Sequence, residues 1–376
     1  MSSKSNSTKK RVAVAMSGGV DSSTALAILK EQGYECMGLT MQLWDYSKGD
    51  MDRAAREGSC CSFDDVRDAR RVADGLGVPF YVLNMEKAFT REVVDYFIKE
   101  YMNGRTPNPC VKCNQMLKFD ALLKKAASLE ADFLATGHYA RIVRDDHGHK
   151  LLKGMDKDKD QSYFLFTMTE AQLARTLFPL GEMTKAEVRA KAAALGLPTS
   201  DKEESQEICF VQEPSYADFL ASAGAAKLSR PGEIVSGDGV VLGIHNGLFR
   251  YTIGQRKGLG LSSGPYFVLA IDTAANRLVV GREPQLYSTG LVAANVNWID
   301  PDAQRDAFME ESGLEGVSVK IRYRHEGADA SIKVLPHGLV HVCFKAAQKA
   351  VTPGQAVVFY RGEVVLGGGW IEKADS

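Results

Sequence analysis

The sequence lacks any apolar run near the ~20 residues that a membrane-spanning helix requires. It also lacks an excess charge, because 46 Lys and Arg residues oppose 47 Asp and Glu residues, for a net charge of −1. A nucleic acid must therefore be bound at a local basic patch rather than by a general basic field. We expect neither a membrane nor DNA as a partner. Residues 1–11 are polar and basic without the apolar core of a signal peptide, and predict a disordered tail.

Cysteine is scarce, and its pattern excludes a small secreted protein held by disulfides. Seven cysteines in 376 residues are too few and too scattered for such a scaffold. The odd number fits a reducing cytoplasm with reactive or metal-ligating thiols, so we expect a cytoplasmic protein. Cys36 and Cys343 lie in strand-like runs and are predicted to be inert core residues.

The feature around which the chain is organised is the loop Ser17-Gly18-Gly19-Val20-Asp21-Ser22-Ser23. The apolar run 12–16 before it predicts a strand, and 24–31 after it predicts a helix that ends before Gly33. Backbone N–H groups and a helix N-terminus then converge on an anion, and Gly18 and Gly19 permit its close approach. Asp21 can hold a metal or cap the helix, and the serine hydroxyls can donate.

Two common phosphate loops are excluded, since the loop has neither the lysine of G-x-x-x-x-G-K-[ST] nor the spacing of G-x-G-x-x-G. The S-G-G-x-D-S pattern resembles instead the PP-loop of ATP pyrophosphatases, which cleave ATP between the α and β phosphates. The alternative is an ordinary serine-glycine turn before a helix.

The first half of the chain alternates strand and helix patterns, which predicts an α/β fold with a doubly wound, mostly parallel sheet. The segment 44–62 breaks the alternation and predicts a mobile loop near the active face. A capping box, Thr184-Lys185-Ala186-Glu187, predicts a helix start. The predicted strands are 12–16, 37–43, 80–83 and 133–136, and the predicted helices are 24–31, 63–76, 87–102 and 114–129.

After about Pro214 the helical periods fade, glycine becomes frequent and short β-rich runs recur. This pattern is typical of small antiparallel barrels. We therefore predict two small β-rich domains after the nucleotide domain, the last a β-barrel, with a loop at 289–294 and a helix-poor stretch at 300–312. The predicted domains are 1–213 (nucleotide-binding), 214–286 (central, β-rich) and 287–376 (C-terminal β-barrel).

Two thiols from separate loops, both expected on the nucleotide face, suggest sulfur chemistry. Cys110 and Cys113 follow two prolines and precede the helical pattern that begins at Asn114, so Cys113 is expected near a helix N-terminus, where a thiolate is favoured. Cys209 lies far along the chain, near the end of the predicted nucleotide domain. A zinc ribbon would need a second C-x-x-C, which Cys60-Cys61 does not provide.

Almost from end to end the chain resembles the bacterial family of tRNA-specific 2-thiouridylases. The motifs that carry the resemblance, in the family's order, are Ser17-Gly18-Gly19-Val20-Asp21-Ser22, Thr106-Pro107-Asn108-Pro109 with Cys113-Asn114, Ala135-Thr136-Gly137-His138-Tyr139, Asp160-Gln161-Ser162-Tyr163-Phe164-Leu165, Ile208-Cys209-Phe210, Gly254-Gln255-Arg256-Lys257-Gly258-Leu259-Gly260 and Thr352-Pro353-Gly354-Gln355.

The resemblance implies thiolation of uridine 34, the wobble base, in the tRNAs for lysine, glutamate and glutamine. ATP, with Mg²⁺, adenylates the C2 oxygen, and a persulfide on Cys209 delivers sulfur. Cys113 is the implied nucleophile that releases the sulfur and closes a disulfide with Cys209. The implied partners are tRNA and a protein that donates persulfide sulfur. This chemistry is reasonable because a soft persulfide attacks an activated C2 far better than water does.

The resemblance also implies the binding residues. For the nucleotide they are Ala15, Met16, Ser17, Gly18, Gly19, Val20, Asp21, Ser22, Met41 and Gly137. For the tRNA they are Asn108, Pro109 and Cys110 at the target base, with His138, Lys159, Asp160, Gln161, Arg322, Tyr323 and Gln355 elsewhere.

From the residues alone, several of these assignments have simpler alternatives. The run 320–324 places alternate basic residues on one predicted strand face, which suits either a phosphate backbone or plain solvent. Arg256 and Lys257, in a glycine-rich loop, present the same choice. His138 by itself is typical of a structural histidine.

Cys110 leaves the mechanism open, because part of the family has an aspartate at this position. Cys110, Cys113 and Cys209 are able to ligate a [4Fe–4S] cluster with one iron open to hydrosulfide. Alternatively, Cys110 stands beside the base and the persulfide route is unchanged. Two other functions remain: a PP-loop synthetase that adenylates another carbonyl, and an RNA-binding module with a structural metal at Cys110 and Cys113.

Overall fold

The structure is a computed structural model that describes residues 9–44, 63–203, 208–211, 216–222, 230–262, 264–309 and 313–375. Most of the predicted disordered tail and the predicted mobile loop 44–62 lie outside these residues, as does the junction predicted at residue 213. The chain divides into two compact units. The first unit comprises Met1–Thr90 and Cys113–Gln212, and the second comprises Arg91–Lys112 and Glu213–Ser376.

The first unit is built on a parallel sheet whose strand order is β3-β2-β1-β4-β7. This confirms the predicted α/β fold. At the centre of the sheet, Val12, Ala13 and Val14 are fully buried, as expected for a parallel sheet covered on both faces. The strands of this unit are β1 (Arg11–Ala15), β2 (Glu35–Gln42), β3 (Phe80–Asn84), β4 (Phe133–Ala135), the antiparallel hairpin β5 (Ala140–Asp145) and β6 (Gly148–Lys153), and β7 (Thr176–Leu177).

Helices follow the strands, and one packed cluster joins β1 to three of them. Val12 and Val14 belong to the same buried cluster as Leu26 of α1, Val72 of α2 and Ala192 of α8. The helices up to residue 194 are α1 (Val20–Glu31), α2 (Phe63–Gly75), α3 (Glu86–Phe89), α4 (Asp95–Met102), α5 (Pro109–Lys112), α6 (Leu123–Ser128), α7 (Glu170–Leu173) and α8 (Lys185–Ala194), with π-helical turns at Thr90–Val94 and Cys113–Leu122 and a 3₁₀ turn at Ser162–Phe164. The capping box at Thr184 is present, as predicted.

The helix around the C-x-x-C pair begins earlier than the sequence predicts. It starts at Pro109, a residue whose fixed φ suits the first helical position, and the Asn108 side chain accepts a hydrogen bond from Val111 N at 3.3 Å. Cys113 is therefore the fifth helical residue, beyond the first turn to which the helix dipole is confined. The predicted helix start at Asn114 was therefore five residues too late.

The second unit contains a small sheet of order β10-β11-β8-β9, in which β8 and β11 are parallel and the other pairs antiparallel. Strand β8 was not predicted. The strands are β8 (Gly232–Ser236), β9 (Val241–His245), β10 (Phe267–Asp272) and β11 (Arg277–Gly281), with α9 at Tyr216–Ser222 and 3₁₀ turns at Leu248–Arg250 and Glu283–Leu286.

The same unit contains the predicted β-barrel. Its strands follow the order β12-β15-β14-β13-β16-β17, and pairing of β12 with β17 closes the ring. Closure leaves no open sheet edge among these strands. They are β12 (Tyr287–Trp298), β13 (Leu314–Lys320), β14 (Ala328–Val334), β15 (Val340–Lys349), β16 (Ala356–Arg361) and β17 (Val364–Ala374), with a 3₁₀ turn at Pro336–Gly338.

Two local predictions in this region were wrong. Residues 289–294 belong to β12 rather than to a loop, and α10 (Pro301–Met309) lies where no helix was expected. The Asp300 side chain starts this helix by accepting hydrogen bonds from Asp302 N and Ala303 N at 3.0 and 3.1 Å. Burial of Ala303 and Ala307 in the barrel core then holds it in place.

Among the residues that the structure describes, no helix combines the length and apolar character needed to cross a membrane.

The packing of the barrel core predicts that alanine substitutions of two phenylalanines have different effects on the stability of the protein. Phe359 is fully buried and packs against Trp298 with a ring-centroid distance of 5.6 Å, whereas Phe308 in α10 is 70% exposed. Phe359→Ala should lower the free energy of unfolding by about 3–5 kcal/mol because it leaves a cavity. Urea denaturation measures the change. Phe308→Ala is the control, expected within about 0.5 kcal/mol of the parent, and equal effects would contradict the packing described.

Candidate functional site: a phosphate loop and its neighbours

The glycine-serine loop connects β1 to α1, as predicted, and its own side chains fix its shape. Ser17 N donates to Ser22 Oγ at 3.1 Å, and Ser22 Oγ donates to the Gly19 carbonyl at 3.2 Å. Gly18 has φ +75°, and a Cβ added there would lie 2.2 Å from the carbonyl oxygen of Asp65. Only glycine fits at position 18, on grounds of both backbone conformation and space.

A second glycine closes the loop from the neighbouring strand end. Gly137 follows β4, and a Cβ there would lie 2.8 Å from both Asp21 C and Ser22 N. Met41 is near the end of β2 and 8% exposed. Because the carboxyl ends of β1, β2 and β4 meet at one edge of a parallel sheet, the nucleotide-binding residues predicted on them lie at the same edge.

Asp21, in the first turn of α1, connects this region to two residues that lie far along the chain. Its carboxylate accepts a hydrogen bond from Tyr139 OH at 2.8 Å and pairs with Lys185 Nζ at 2.7 and 2.9 Å. The Lys185 ammonium also lies 5.7 Å from the centre of the Tyr139 ring. Tyr139 is 2% exposed, so it is a rigid support for both charged groups.

Lys185 was missed as a functional residue. The loop itself contains no lysine, and Lys185 reaches it from a position 164 residues along the chain, at the start of α8. The capping box at Thr184 marked where that helix begins, but nothing in the sequence indicated which element it packs against. Its ammonium places a positive charge beside the carboxylate of Asp21.

The residues predicted to bind tRNA in the first unit support the loop indirectly. Gln161 forms two hydrogen bonds with the backbone of Tyr139. Tyr139 N donates to Gln161 Oε1 at 3.0 Å, and Gln161 N donates to the Tyr139 carbonyl at 2.9 Å. Asp160 is 6% exposed and accepts hydrogen bonds from Gly154 N and Ser162 N. Lys159 is half-buried. These contacts give Gln161 and Asp160 a structural function, whatever they bind.

His138 is also enclosed. It is 9% exposed, lies 2.7 Å from Thr136 Oγ1 through Nδ1, and has the rings of Phe119 and Phe178 at 5.9 Å. Burial, with a smaller contribution from the Lys118 charge, lowers its pKa well below the ordinary value. The imidazole is therefore neutral at physiological pH, which favours a structural histidine over an ionic phosphate contact.

The cysteines differ in their surroundings. Cys113 and Cys209 are half-buried. The neighbour of Cys209, Phe210, is 2% exposed and packs against the rings of Trp44 and Phe89 at centroid distances of 6.5 and 5.8 Å. Phe210 therefore fixes the position of the short segment 208–211 that carries Cys209.

The two cysteines predicted to be core residues behave differently. Cys36 is 8% exposed, and burial raises the pKa of its thiol to about 11, so it is inert as expected. Cys343 is exposed, contrary to the prediction. It lies between Val342 and Phe344 on β15, whose alternate side chains enter the barrel core, so Cys343 points outward.

No group of three or more His, Cys, Asp or Glu side chains within the described ranges is arranged to hold a metal ion. The arrangement of Cys110, Cys113 and Cys209 around an iron–sulfur cluster is therefore unsupported.

In the region of the barrel, the predicted tRNA-binding residues lie in turns. Strand β13 ends at Lys320, so the prediction of alternate basic residues on one strand face was wrong for Arg322. Arg322 is exposed in the following turn, with Tyr323 half-buried, and Arg322 Nη1 donates to the Lys349 carbonyl at 3.2 Å. Gln355 Nε2 donates to the carbonyls of Thr106 and Pro107 at 3.0 and 3.3 Å.

The residues predicted at the target base occupy the start of α5. Asn108 is half-buried and caps the helix, Pro109 is buried, and Cys110 is exposed. Cys110 is therefore the accessible side chain of the three.

Comparison with protein families accounts for most of the chain. Residues 10–213 match the tRNA methyl transferase HUP domain, 217–282 the tRNA methyl transferase PRC-barrel domain, and 288–371 the aminomethyltransferase β-barrel domain. The fold similarity to solved structures is weak. The match to a 4-thiouridine synthetase in complex with RNA and bound ATP covers 57% of this chain and 50% of that chain, with a TM-score of 0.32 and 17% identity.

Sequence relatives are much closer. The tRNA-specific 2-thiouridylase MnmA of Geotalea uraniireducens is 53% identical over 371 residues, covering 98% of this chain and 96% of its own. The protein of the same description from Geobacter metallireducens is 52% identical over 369 residues, covering 97% and 98%. With a phosphate loop of the PP type and this identity along nearly its whole length, the chain belongs to the family of tRNA-specific 2-thiouridylases.

Proposed function

We propose that this protein uses ATP to replace the C2 oxygen of uridine 34, the wobble base of the tRNAs for lysine, glutamate and glutamine, with sulfur. The observation that carries the proposal is that the phosphate loop, Cys113 and Cys209 all belong to the first unit. Activation of an oxygen and its replacement by sulfur require both sets of groups. The cytoplasm, which keeps thiols reduced, is the compartment that suits this chemistry.

The first step is adenylation. The uracil O2 attacks the α-phosphorus of ATP and pyrophosphate leaves, which converts a poor leaving group at C2 into AMP. The loop N–H groups and the Lys185 ammonium stabilise the phosphate charge. The Asp21 carboxylate fits Mg²⁺, a cation that prefers oxygen ligands and is usually held by one or two carboxylates together with phosphates. Bound there, the ion would neutralise further charge on the phosphates.

The second step is sulfur transfer. The terminal sulfur of a Cys209 persulfide attacks C2 and AMP leaves with its oxygen. The Cys113 thiolate then attacks the Cys209 sulfur, and the electrons of the broken S–S bond remain on the sulfur now bound to C2. The products are 2-thiouridine and a Cys113–Cys209 disulfide, which a thiol reductant reopens. A protein that donates persulfide sulfur reloads Cys209.

Two structural features fit this proposal. Phe210 holds the Cys209 segment against Trp44 and Phe89, which limits the positions that the persulfide can take. The target base must leave its stack to be modified, and in the second unit the exposed Cys110 beside Asn108 suits an extruded base.

The contact between Gly137 and the loop predicts a defect in nucleotide binding. Gly137→Ala forces a Cβ to within 2.8 Å of Asp21 C and Ser22 N, so the loop must shift. ATP affinity should fall by about tenfold or more, since binding groups misplaced by about 1 Å lose much of their effect. Equilibrium binding of ATP measures it. Gly75→Ala, at a position with no atom within 4 Å, is the control, and normal ATP binding by Gly137→Ala would contradict the assignment.

The proposed sulfur step predicts that cysteine variants lose formation of 2-thiouridine but keep release of pyrophosphate. Cys209→Ser and Cys113→Ser should each abolish formation of 2-thiouridine, because each lacks a sulfur that the step requires. Both should still release pyrophosphate when tRNA is present, since adenylation uses neither thiol. Cys343→Ser, which alters an exposed cysteine outside the site, should retain both activities.

The alternatives give other results in the same assay. A synthetase for another carbonyl would release pyrophosphate without tRNA, and a binding module would release none. Bound iron lost together with activity in Cys110→Asp would contradict the persulfide route and favour a cluster.

The exposed turn after β13 predicts an electrostatic contribution to tRNA binding. Arg322→Ala should weaken binding and reduce the slope of log K against log salt by about one, as expected for the loss of one phosphate contact. Arg305→Ala in α10 is the control, because Arg305 is already paired with Asp302 and Asp306. An unchanged slope in Arg322→Ala would mean that the side chain is merely solvated.

A further inference from the structure

The segment 105–112 carries the three residues assigned to the target base, and it is attached to the barrel of the second unit along its length. The attachment begins at Arg105. Its guanidinium donates to Glu100 at 2.7 Å, to Glu372 on β17 at 2.7 and 3.3 Å, and to the Ile371 carbonyl at 3.2 Å. Burial opposes this charge and the two carboxylates outweigh it, so the pKa of Arg105 is raised. The planar guanidinium donates in fixed directions to two carboxylates and one carbonyl, an arrangement that the ammonium group of lysine cannot reproduce.

The turn before β16 holds the next two residues by their main chain. Thr106 N donates to the Pro353 carbonyl at 2.9 Å, and Gln355 Nε2 donates to the carbonyls of Thr106 and Pro107. Gly354 permits the approach, since it has φ +90° and a Cβ there would lie 2.9 Å from both Thr106 N and Thr106 O. The turn that contains Thr352-Pro353-Gly354-Gln355 thus binds the backbone of the segment that leads to Asn108.

The end of the segment is held by aromatic rings. Lys112 Nζ lies 5.2 Å from the centre of the Tyr96 ring and 5.4 Å from that of Trp370 on β17, and the two rings lie 5.9 Å apart. An ammonium against two ring faces is attracted by their electron density. The chain is therefore held both before residues 108–110, at 105–107, and after them, at Lys112.

We propose that Arg105 and Gln355 are positioning residues, which hold the backbone of 106–109 so that the target uracil meets Asn108 and Cys110 in a productive orientation. Gln355 acts on this segment rather than on the tRNA. The inference rests on the proposed function, because it assumes that Asn108–Cys110 receive the base. Loss of either residue leaves the phosphate contacts of the RNA intact and misplaces the base.

The test measures kcat for tRNA-dependent pyrophosphate release, the Kd for tRNA and the salt slope of binding, in Gln355→Ala and Arg105→Lys. In both variants kcat should fall by about tenfold or more while Kd and the salt slope are unchanged, because misplacement affects reaction and phosphate contacts set affinity. Arg105→Lys should be less impaired than Arg105→Ala, since it retains one ion pair. Thermal unfolding checks that each variant is folded, and Glu372→Gln replaces Arg105→Ala if that variant does not fold.

The matched control is Arg277→Ala, which removes an exposed arginine–glutamate pair with Glu233 on the other sheet of the same unit and should change none of the three quantities. A raised Kd with normal kcat in Gln355→Ala would show a direct RNA contact and overturn the proposal. Normal kcat in both Gln355→Ala and Arg105→Lys would overturn it as well. Failure of the proposed function is distinct, because the parent protein would then release no pyrophosphate in the presence of tRNA.

Discussion

The carboxylate of Asp21, held by one hydroxyl and one ammonium, is the interaction on which the site of the first unit depends. Tyr139 and Lys185 both contact it, and Gln161 in turn holds the backbone of Tyr139. The first turn of α1 is thereby connected to the segment after β4 and to the start of α8. A buried or half-buried charge that lost one of these partners would be left uncompensated, so the three elements stabilise one another.

Close backbone approach is the second constraint, and it recurs in both units. Gly18 and Gly137 allow the chain to pass within contact distance of the phosphate loop, and Gly354 allows the barrel turn to grip Thr106. In each case a methyl group would enter space that backbone atoms occupy. These glycines therefore determine shape rather than flexibility, and substitutions at them should disturb function before they disturb the whole fold.

The sequence predicted the features that depend on short spans of chain and missed those that depend on distant packing. The strand, glycine loop and helix around Asp21 follow from local pattern, as does the capping box at Thr184. The contact between Lys185 and Asp21 does not, because no local signal indicates which helix packs beside the loop. The same limit explains α10, where burial of Ala303 and Ala307 against the barrel stabilises a helix with a weak pattern of its own.

The remaining differences between the predictions and the structure concern the residues at which strands and helices begin or end. The sequence pattern extends the alternation of β13 to Arg322, whereas the strand ends two residues earlier. The pattern begins a helix at Asn114, whereas the structure begins it at Pro109. The resemblance to a family supplied the assignments of individual site residues, and those assignments stay predictions. The structure adds to them the supports that surround them, such as Phe210 beside Cys209 and Arg105 before Asn108.

The most direct test of the central claim follows one oxygen atom. A tRNA that carries oxygen-18 at C2 of uridine 34 is converted in a single turnover with ATP and a persulfide donor, and the AMP product is analysed by mass spectrometry. If the C2 oxygen attacks the α-phosphate, AMP acquires the label and the thiolated base loses it. Unlabelled AMP, formed together with 2-thiouridine, would contradict the account, because the oxygen would then have left C2 by another route.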